Sequence, residues 1–368
     1  MHVLVVNAGS STLKLRIIDE RSDVVKGHDV DPWDGGGSAA DFRRFLADGP
    51  AVDAVGHRIV HGGSDLREPT LVTAEVEATI AALAPLAPLH QDRALSALAA
   101  ARRILPQSPH VACFDTAFHS TLPMAARTYA LPSEWRERWH LHRFGFHGLS
   151  HAWAAARGAT IAGLPGTARI ITCHLGSGAS LCAVVDGRSI DTTMGFTPLD
   201  GIVMATRAGA VDPGLLLWLL TDGGLDAGEV AEGLERHAGL AGFVESGDMR
   251  KVLAARDGGD PGAVLGFDVY VHRLRQGIAA MAASMGGLDL LVFTGGVGEH
   301  AAPVRADTAE GLGFLGVNVD RRANETASSD TDISPAGAAV RTVVITSRED
   351  LEITRQVRGL LGWSAERP

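Results

Sequence analysis

The sequence predicts an α/β protein of two domains, and three observations support this prediction. Short apolar segments of strand length alternate with longer alanine-rich amphipathic segments, as in strands interleaved with helices. The chain has 368 residues, which is more than a single hydrophobic core commonly serves. One strand–turn–strand pattern also occurs twice, about half a chain apart, which indicates that the two domains arose by duplication.

Strands are predicted where apolar runs are flanked by polar residues or turn glycines. They are Val3–Val6, Leu13–Ile18, Val111–Phe114, Arg169–Cys173, Leu181–Val185, Asp289–Thr294 and Thr342–Ile345. The amphipathic segments predict helices at Ala74–Leu83, Ala94–Ile104, Ser150–Ile161 and Val269–Met285. Short stretches rich in Gly and Pro, such as Asp31–Ser38 and Asp257–Gly262, are predicted to be loops.

The repeated pattern covers Val3–Asp19 and Ile170–Asp186. Corresponding residues lie 167 positions apart: Asn7 and His174, Gly9 and Gly176, Ser10 and Ser177, Asp19 and Asp186. Because a glycine turn exposes backbone N–H groups without an obstructing Cβ, each hairpin is suited to hold a phosphate. The alternative is a pair of ordinary hairpins with turn glycines.

Composition and charge limit the classes of binding partner and indicate the cellular location. The formal net charge of −10 argues against nucleic acid or an anionic membrane as the main partner, but not against small anions. The first residues are predicted to form a strand rather than a signal peptide, and the apolar stretch near Leu215–Leu220 is too short to span a bilayer. Three cysteines in apolar runs indicate a reducing compartment. A cytoplasmic location is therefore expected.

Several common phosphate-binding motifs are missing from the sequence. It contains no P-loop motif and no protein-kinase signature. Gly176-x-Gly178 and Gly296-x-Gly298 lack the third glycine, and we expect them to lack the strand-to-helix context, of a dinucleotide-binding motif. Paired cysteines with zinc-ligand spacing are also missing.

Eleven short segments concentrate the histidine, glycine and charged residues. They are Asn7–Lys14, Gly56–Gly63, Ala87–His90, Phe114–Pro123, Arg143–Gly148, Cys173–Ser180, Asp191–Gly201, Thr206–Arg207, Asp248–Arg250, Phe293–His300 and Ser347–Asp350. In these segments and their spacing, the chain strongly resembles the acetate/propionate kinase family, part of the superfamily of actin, sugar kinases and heat-shock chaperone ATPases. The resemblance runs almost from end to end.

The resemblance implies a duplicated actin-like (ribonuclease H-like) ATPase fold with a cleft between two domains. Domain I would comprise residues 1–114 and 349–368 and domain II, the nucleotide-binding side, residues 115–348. The implied reaction is the reversible transfer of the ATP γ-phosphoryl group to acetate, giving acetyl phosphate and ADP, with Mg²⁺ (alternatively Mn²⁺). A homodimer is also implied. Family members are usually longer, and the missing stretch falls between Asp19 and Val52.

Two arginines are implied to handle the anionic groups. Phosphoryl transfer needs cations and hydrogen-bond donors around the moving group. By resemblance, Arg58 would bind the substrate carboxylate, and Arg207 would act catalytically on the substrate and the phosphoryl group. Arginine suits both tasks because its guanidinium pairs with carboxylate and phosphate in a bidentate manner. A surface ion pair is the alternative for each.

Asp115 and His147 are the other implied catalytic residues. Asp115 follows the strand Val111–Phe114, at the end where ligand sites of α/β sheets lie. Because the carboxylate nucleophile is already ionised at neutral pH, we expect Asp115 to orient the metal or act electrostatically, with an ordinary capping aspartate as the alternative. By resemblance, His147 donates a hydrogen bond to the transferring phosphoryl group. The alternatives are a structural histidine or a metal pair with His151.

The remaining implied roles concern metal, nucleotide and acyl group. The metal positions are Asn7 and Glu349, with a helix-capping role as the alternative for each. The nucleotide-binding residues are Lys14, His174, Leu175, Gly176, Ser177, Gly178, Asp248, Met249, Arg250, Gly296, Val297, Gly298, Glu299 and His300. The acyl pocket is formed by Val60, Leu89, Phe146 and Pro198, with the family histidine His90 nearby; the alternative is four core residues. His57 and His61 are expected only to organise a turn.

The sequence also departs from the family pattern. Ser177 replaces the usual asparagine of the second phosphate turn, which removes an amide donor from the nucleotide side. Pyrophosphate is therefore kept as an alternative phosphoryl donor. Propionate or butyrate is the alternative substrate, although the intact His61-Gly62-Gly63 favours the acetate/propionate branch. A non-catalytic nucleotide sensor is an alternative of another class, and the retained residues of the implied catalytic site argue against it.

Overall fold

The computed structural model describes residues 1–9, 12–33, 35, 38–87 and 90–363, and the chain forms two compact units. Unit 1 comprises Met1–Ser120, Phe146–Trp153 and Arg348–Pro368, and unit 2 comprises Thr121–Gly145 and Ala154–Ser347. Compared with domain I as predicted, unit 1 also contains residues 115–120 and 146–153 and Arg348. The physical reason is local: the N–H of Gly148 donates to the Asp115 carbonyl oxygen at 2.9 Å and joins these two segments.

The strands are β1 Val3–Ala8, β2 Leu13–Ile18, β3 Val24–Val30, β4 Ala54–Ile59, β5 Thr70–Leu71, β6 His110–Phe114, β7 Ile170–Leu175, β8 Ala179–Val185, β9 Arg188–Thr192, β10 Leu290–Thr294, β11 Thr331–Asp332 and β12 Arg341–Val344. The helices are α1 Ser38–Ala47, α2 Ala74–Ala82, α3 Gln91–Ile104, α4 Met124–Arg127, α5 Ser133–Trp139, α6 Gly148–Ala162, α7 Pro213–Thr221, α8 Ala227–Glu232, α9 Met249–Asp257, α10 Pro261–Met285, α11 Gly295–His300, α12 Ala302–Glu310, α13 Arg321–Thr326 and α14 Glu349–Leu360. The predicted strands and helices are all present, although α10 begins eight residues before its predicted start. No helix in the described ranges is both long enough and apolar enough to cross a membrane.

Unit 1 is built on a mixed sheet with strand order β3-β2-β1-β4-β6-β5. The hairpin β1–β2 is antiparallel, whereas β4 pairs in parallel with β1 and with β6. One face packs α1 and α3 over side chains such as Leu15, Phe42 and Leu98. On the other face, α14 covers β1 and β4 through Ile353 and Val357. Both faces of the central strands are therefore buried, as parallel strands require.

Unit 2 repeats this topology, which confirms the α/β duplication read from the sequence. Its sheet has the order β11-β12-β10-β7-β8-β9, so the antiparallel hairpin β7–β8 again continues into two parallel neighbours, β10 and β12. The long helix α10 packs on β8 and β9. Each unit thus carries a hairpin followed by parallel strands whose carboxyl ends share one edge.

The two hairpins differ by one residue in their turns. Asn7 pairs with Lys14 in the first hairpin, whereas His174 pairs with Ser180 in the second. The constant offset of 167 is therefore correct for the first strand of each hairpin and wrong for the second strand, where it falls to 166. Because the turn at Gly176 is one residue shorter, the position equivalent to Lys14 is Ser180.

Strand β4 was not predicted, although it lies at the centre of the unit 1 sheet. Its sequence, Ala-Val-Gly-His-Arg-Ile, contains glycine and histidine where apolar residues are usual. Gly56 is required because a Cβ there would lie 2.5 Å from Ile353 Cγ2 of α14. The expectation that His57 organises a turn is wrong: it lies within β4 and its ring stacks on His110 of β6.

Candidate active site

Three parallel strands of unit 1 bring the first group of site residues to one edge of the sheet. Asn7 is near the end of β1, Arg58 is near the end of β4, and Asp115 follows β6 directly. Since β1, β4 and β6 run parallel, their carboxyl ends meet, and ligands bind at this edge of α/β sheets. Glu349 joins them as the first residue of α14.

A bidentate ion pair between Arg58 and Asp115 forms the centre of this group. Arg58 Nη2 donates to Asp115 Oδ2 at 2.8 Å, and Nε donates to the same carboxylate at 3.2 Å. The Asp115 side chain is only 1% exposed and that of Arg58 14%. The Arg58 guanidinium therefore holds the Asp115 carboxylate in place through charge-assisted hydrogen bonds. An aspartate that only caps a turn does not require such a partner.

Asn7 and Glu349 complete the group. Arg58 Nη1 donates to Asn7 Oδ1 at 3.2 Å and lies 3.4 Å from Glu349 Oε2. The amide of Asn7 in turn donates to Glu349 Oε2 at 2.8 Å. The capping-box alternative for Glu349 is wrong, because the residue at the helix N-cap is Arg348 and its side chain makes no capping hydrogen bond.

Burial and charge shift the pKa values of this group in opposing ways. Burial by itself lowers the pKa of Arg58, but the carboxylates of Asp115 and Glu349 outweigh it and raise that pKa above its usual range. Burial raises the pKa of Asp115 to about 6; Arg58 opposes this rise, and the negative charge of Glu349 adds to it. With Asp115 and Glu349 ionised, the group contains two negative charges and only one positive charge, that of Arg58.

His147 is held beside Asp115 in a strained backbone conformation. Its φ is +57°, a left-handed value that costs a non-glycine residue energy and persists only where neighbours enforce it. The Gly148 N–H donates to the Asp115 carbonyl oxygen, and a Cβ on Gly148 would lie 2.1 Å from that oxygen. Nearby, the buried His119 donates from Nε2 to the Phe146 carbonyl oxygen at 2.9 Å. The sequence analysis predicts no role for Gly148 or His119, although both lie in segments that resemble the family, Arg143–Gly148 and Phe114–Pro123.

The expected acyl-pocket residues are distributed over both units. Val60 and Phe146 are buried in unit 1, where the Phe146 ring packs edge-on against His61 at a centroid distance of 5.4 Å. His90 is half-buried at the N-cap of α3. Pro198 belongs to unit 2. Leu89 lies outside the described residues.

In unit 2, Arg207 lies in the loop between β9 and α7. Its Nη1 donates to the Pro198 carbonyl oxygen at 2.7 Å, so these two predicted site residues are in contact. Burial lowers the pKa of Arg207, and the charge of Glu235 partly offsets this effect. A partly desolvated guanidinium attracts an anion more strongly than an exposed one does.

The loop around Arg207, residues 204–208, also adjoins part of the expected nucleotide site. The N–H of Ala205 donates to the Ser177 carbonyl oxygen at 3.2 Å, within the turn closed by Gly176 N–H and Gly178 O. A Cβ on Gly247, which precedes Asp248, would lie 2.7 Å from the Ala205 carbonyl oxygen. The Gly176–Gly178 turn and the segment before α9 therefore meet at this loop.

The other expected nucleotide residues have mixed environments. Asp248 caps α9 and pairs with the exposed Arg250, whereas Met249 is buried. The glycine segment forms helix α11 directly after β10, so the expectation that it lacks a strand-to-helix context is wrong. Glu299 of α11 accepts from the N–H groups of Gly295 and Ser347. Lys14 is exposed and belongs to unit 1.

The donor chemistry of the unit 1 group suits magnesium. Mg²⁺ prefers oxygen ligands and commonly keeps several waters. Asn7, Asp115 and Glu349 offer amide and carboxylate oxygens. Burial is the main cause of the raised pKa of Asp115, and the negative charge of Glu349 adds to it, so a cation nearby would favour the ionised form. Within the described ranges, no group of three or more His, Cys, Asp and Glu side chains is placed to hold a metal ion. The amide and carboxylate oxygens of Asn7, Asp115 and Glu349 fit a magnesium site in which water supplies the other ligands.

Comparisons with known proteins identify the family of the chain. The sequence model of the acetokinase family matches residues 43–355. An acetate kinase of Gloeobacter violaceus is 49% identical over 316 residues, which cover 85% of this chain and 78% of the relative. The crystal structure of an acetate kinase from Porphyromonas gingivalis aligns with a TM-score of 0.90 at 33% identity, covering 98% of this chain and 99% of the other.

A propionate kinase is similar as well. The crystal structure of the enzyme from Francisella tularensis aligns with a TM-score of 0.87 at 34% identity, covering 96% of this chain and 98% of the other. The family match spans most of the sequence, and both aligned structures extend over nearly all of it. The chain therefore belongs to the acetokinase family.

Proposed function

We propose that this chain is an acetate kinase, a phosphotransferase with a carboxyl group as acceptor. It would catalyse the reversible transfer of the γ-phosphoryl group of ATP to acetate. One acetate oxygen forms a bond to the γ-phosphorus, the bond from that phosphorus to the β–γ bridging oxygen breaks, and ADP leaves with the electron pair. The observation that carries the proposal is the hydrogen-bonded group of Asn7, Arg58, Asp115 and Glu349 in a member of this family.

Arg58 is the proposed carboxylate ligand. Its two contacts with Asp115 fix the plane of the guanidinium. Nη1 lies 3.2 Å from Asn7 Oδ1 and 3.4 Å from Glu349 Oε2, farther than Nη2 lies from Asp115 Oδ2 at 2.8 Å, so we expect the substrate carboxylate to displace the Nη1 contacts. Val60, Leu89, Phe146 and Pro198 are the proposed walls around the methyl group, with His90 beside them. Such walls discriminate one methylene weakly, so propionate remains the second candidate substrate, supported by the similarity to a propionate kinase.

Asp115, His147 and Arg207 are the proposed catalytic residues. Arg207 and His147 would stabilise the charge on the transferring phosphoryl group through donated hydrogen bonds, without proton transfer. Asn7 and Glu349 would hold Mg²⁺ (or Mn²⁺) together with Asp115, largely through water, and the ion would neutralise phosphate charge. No general base is required, because the acetate nucleophile is already ionised.

Unit 2 is the proposed nucleotide-binding side, as unit 1 is the proposed carboxylate side. Its turn at Gly176–Gly178 and helix α11 directly follow strands β7 and β10, and their glycines allow phosphate or ribose to approach the backbone closely. His174, Leu175, Ser177, Asp248–Arg250 and Gly296–His300 are the proposed contacts, and Lys14 of unit 1 would reach a phosphate. Ser177 is exposed in its turn, so the missing amide donor keeps pyrophosphate as a donor to be tested.

The decisive experiment is an acyl-phosphate assay with hydroxylamine trapping. ATP, GTP and pyrophosphate are each combined with acetate, propionate and butyrate in the presence of Mg²⁺. The proposal predicts the highest kcat/KM with ATP and acetate. Faster reaction with propionate would favour the second candidate, and activity only with pyrophosphate would overturn the nucleotide assignment. Binding of ATP without acyl phosphate from any of the acids would instead support a nucleotide sensor.

We also propose a cytoplasmic homodimer. The three cysteines are buried and free of disulfide bonds, which suits a reducing compartment. Helix α7 exposes a row of large apolar side chains, including Leu217 at 63% and Trp218 at 56%, and such patches commonly mark interaction sites. Leu217→Arg should convert the dimer to a monomer in sedimentation velocity experiments, whereas substitution of the isolated exposed Phe314 by Arg should not. A monomeric wild-type protein would contradict the proposal.

A further inference from the structure

A second segment of unit 2 holds the loop that carries Arg207. We call residues 204–208 the Arg207 loop and residues 234–241 the bracing segment, which begins within a turn of π-helix at Gly233–His237. Backbone hydrogen bonds run between the two: Ala208 N to Leu234 O at 3.3 Å, Ala238 N to Thr206 O at 3.2 Å, Leu240 N to Met204 O at 3.0 Å and Ala241 N to Ala205 O at 2.9 Å. The Thr206 hydroxyl also donates to the Glu235 carbonyl oxygen at 2.9 Å. The loop is therefore secured along its whole length.

Gly239 is the point of closest approach between these segments. Its φ is +62°, and a Cβ at this position would lie 2.3 Å from the Met204 carbonyl oxygen. The same Cβ would lie 2.7 Å from the Arg207 carbonyl oxygen and 2.9 Å from the Arg207 nitrogen. All three atoms belong to backbone, so no flexible side chain can move aside. Any other residue at position 239 must therefore separate the backbone of the bracing segment from that of the Arg207 loop.

The backbone of this loop determines where the Arg207 guanidinium lies. Met204 N–H donates to the Arg207 carbonyl oxygen at 3.1 Å, which closes the loop on itself. The side chain then reaches the Pro198 carbonyl oxygen through Nη1 at 2.7 Å. Because catalytic groups lose much of their effect when displaced by about 1 Å, a shift of this backbone should be felt in catalysis.

We propose that Gly239 is a positioning residue, and that the bracing segment sets the geometry of Arg207 for phosphoryl transfer. The inference rests on the proposed function for the role of Arg207, but the placement of the loop can be measured separately. Gly239 itself contacts neither substrate nor phosphate in this proposal; it acts only through the loop.

The test uses Gly239→Ala with Gly224→Ala as the matched control. Gly224 also has a positive φ, of +75°, but a Cβ there meets nothing within 4 Å, so this variant carries the left-handed strain without the contact. Two quantities are measured: kcat for acetyl phosphate formation, and the rate at which trypsin cleaves the peptide bond between Arg207 and Ala208, identified by mass spectrometry. We expect Gly239→Ala to lower kcat at least tenfold and to accelerate this one cleavage at least tenfold, and Gly224→Ala to change neither by more than about twofold.

A second pair of variants serves if Gly239→Ala fails to fold. Thr206→Val removes the hydroxyl that donates to Glu235 and keeps the size of the side chain, whereas Thr206→Ser keeps the hydroxyl. We expect a several-fold loss of kcat and faster cleavage after Arg207 for Thr206→Val, and wild-type behaviour for Thr206→Ser.

The outcomes separate this inference from the proposed function. If the wild-type protein forms no acyl phosphate, the proposed function fails, and selective cleavage after Arg207 in Gly239→Ala still supports the bracing. Unchanged cleavage in both Gly239→Ala and Thr206→Val would overturn the inference whatever the activity. Equal effects of Gly239→Ala and Gly224→Ala would overturn it too, because strain alone would then explain them.

Discussion

Acidification should destabilise unit 1 through the buried pair of His57 and His110. His110 Nε2 lies 3.0 Å from the Leu105 carbonyl oxygen, which can only accept, so this nitrogen carries a proton. The other nitrogen, Nδ1, must then accept from His57 Nε2, 2.9 Å away. The lowered pKa of each ring favours its neutral form, and His57 Nδ1 is buried with no partner among the described residues.

The direction of the effect follows from the pKa shifts. Burial lowers the pKa of His57 well below its usual value, and the neighbouring His110 and the positive charge of Arg102 lower it further; burial also lowers the pKa of His110. Between the folded and unfolded pKa values, His57 and His110 therefore bind more protons in the unfolded chain than in the folded chain. Stability is complete above the unfolded pKa and falls as the pH drops below it towards the folded pKa.

The size of the effect has an upper limit set by the unfolded state. With an unfolded pKa of about 6.5, protonation of one histidine at pH 5 stabilises the unfolded chain by about 2 kcal/mol relative to pH 8. The limit for the pair is about 4 kcal/mol, reached only if neither ring takes up a proton in the folded protein. This is a large fraction of the usual stability of a domain.

Urea unfolding followed by circular dichroism at pH 8, 7, 6 and 5 measures the effect. His57→Gln keeps a donor for His110 but cannot titrate, so its free energy of unfolding should fall less between pH 8 and pH 5, by up to about 2 kcal/mol. His272→Gln, at an exposed position, should follow the wild type. Equal slopes for wild type and His57→Gln would refute the assignment of neutral rings.

Three further substitutions test the site and its support. Arg58→Gln should lower kcat about 100-fold or more in the hydroxylamine assay, since it removes the guanidinium that links Asp115 to the substrate; normal activity would contradict the proposed carboxylate ligand. Gly148→Ala should lower kcat at least tenfold with ATP affinity retained in calorimetry, because its Cβ would displace the Asp115 carbonyl oxygen; unchanged kcat would argue against this coupling. Gly56→Ala should destabilise the protein by about 1–3 kcal/mol in thermal unfolding, because its Cβ would overpack α14; an unchanged Tm would show that the helix can move.

The elements with regular apolar patterning were predictable from the sequence, and those adapted to the site were not. Strands such as β1 and β10 consist of continuous apolar runs, so they were recognised. Strand β4 was missed because α14 requires glycine at position 56, and because His57 replaces an apolar residue with a polar pair. Its residues satisfy long-range contacts rather than local propensity.

The candidate site could be predicted as a set of residues but not as a set of contacts. The sequence predicts Asn7, Arg58, Asp115 and Glu349 as site residues, since each occupies a motif that resembles the family. That Arg58 would already be paired with Asp115 could not be foreseen, because the pairing depends on the register of β4 and β6. The close approach of Gly239 to the backbone of Met204 and Arg207 could not be predicted either, because these residues are more than thirty positions away in the sequence.

The long separation in sequence between α14 and the strands it covers has a consequence for biosynthesis. Asn7 and Glu349 are joined by a hydrogen bond although 342 positions separate them. During translation, β1 and β4 leave the ribosome long before Ile353 and Val357, which cover one face of them. Until α14 has been synthesised, the apolar side chains on that face of the sheet stay exposed to solvent. Exposed apolar surface favours chaperone binding and aggregation. A product that terminates before α14 would lack both this cover and the second carboxylate of the site, so premature termination should yield unstable, inactive chains.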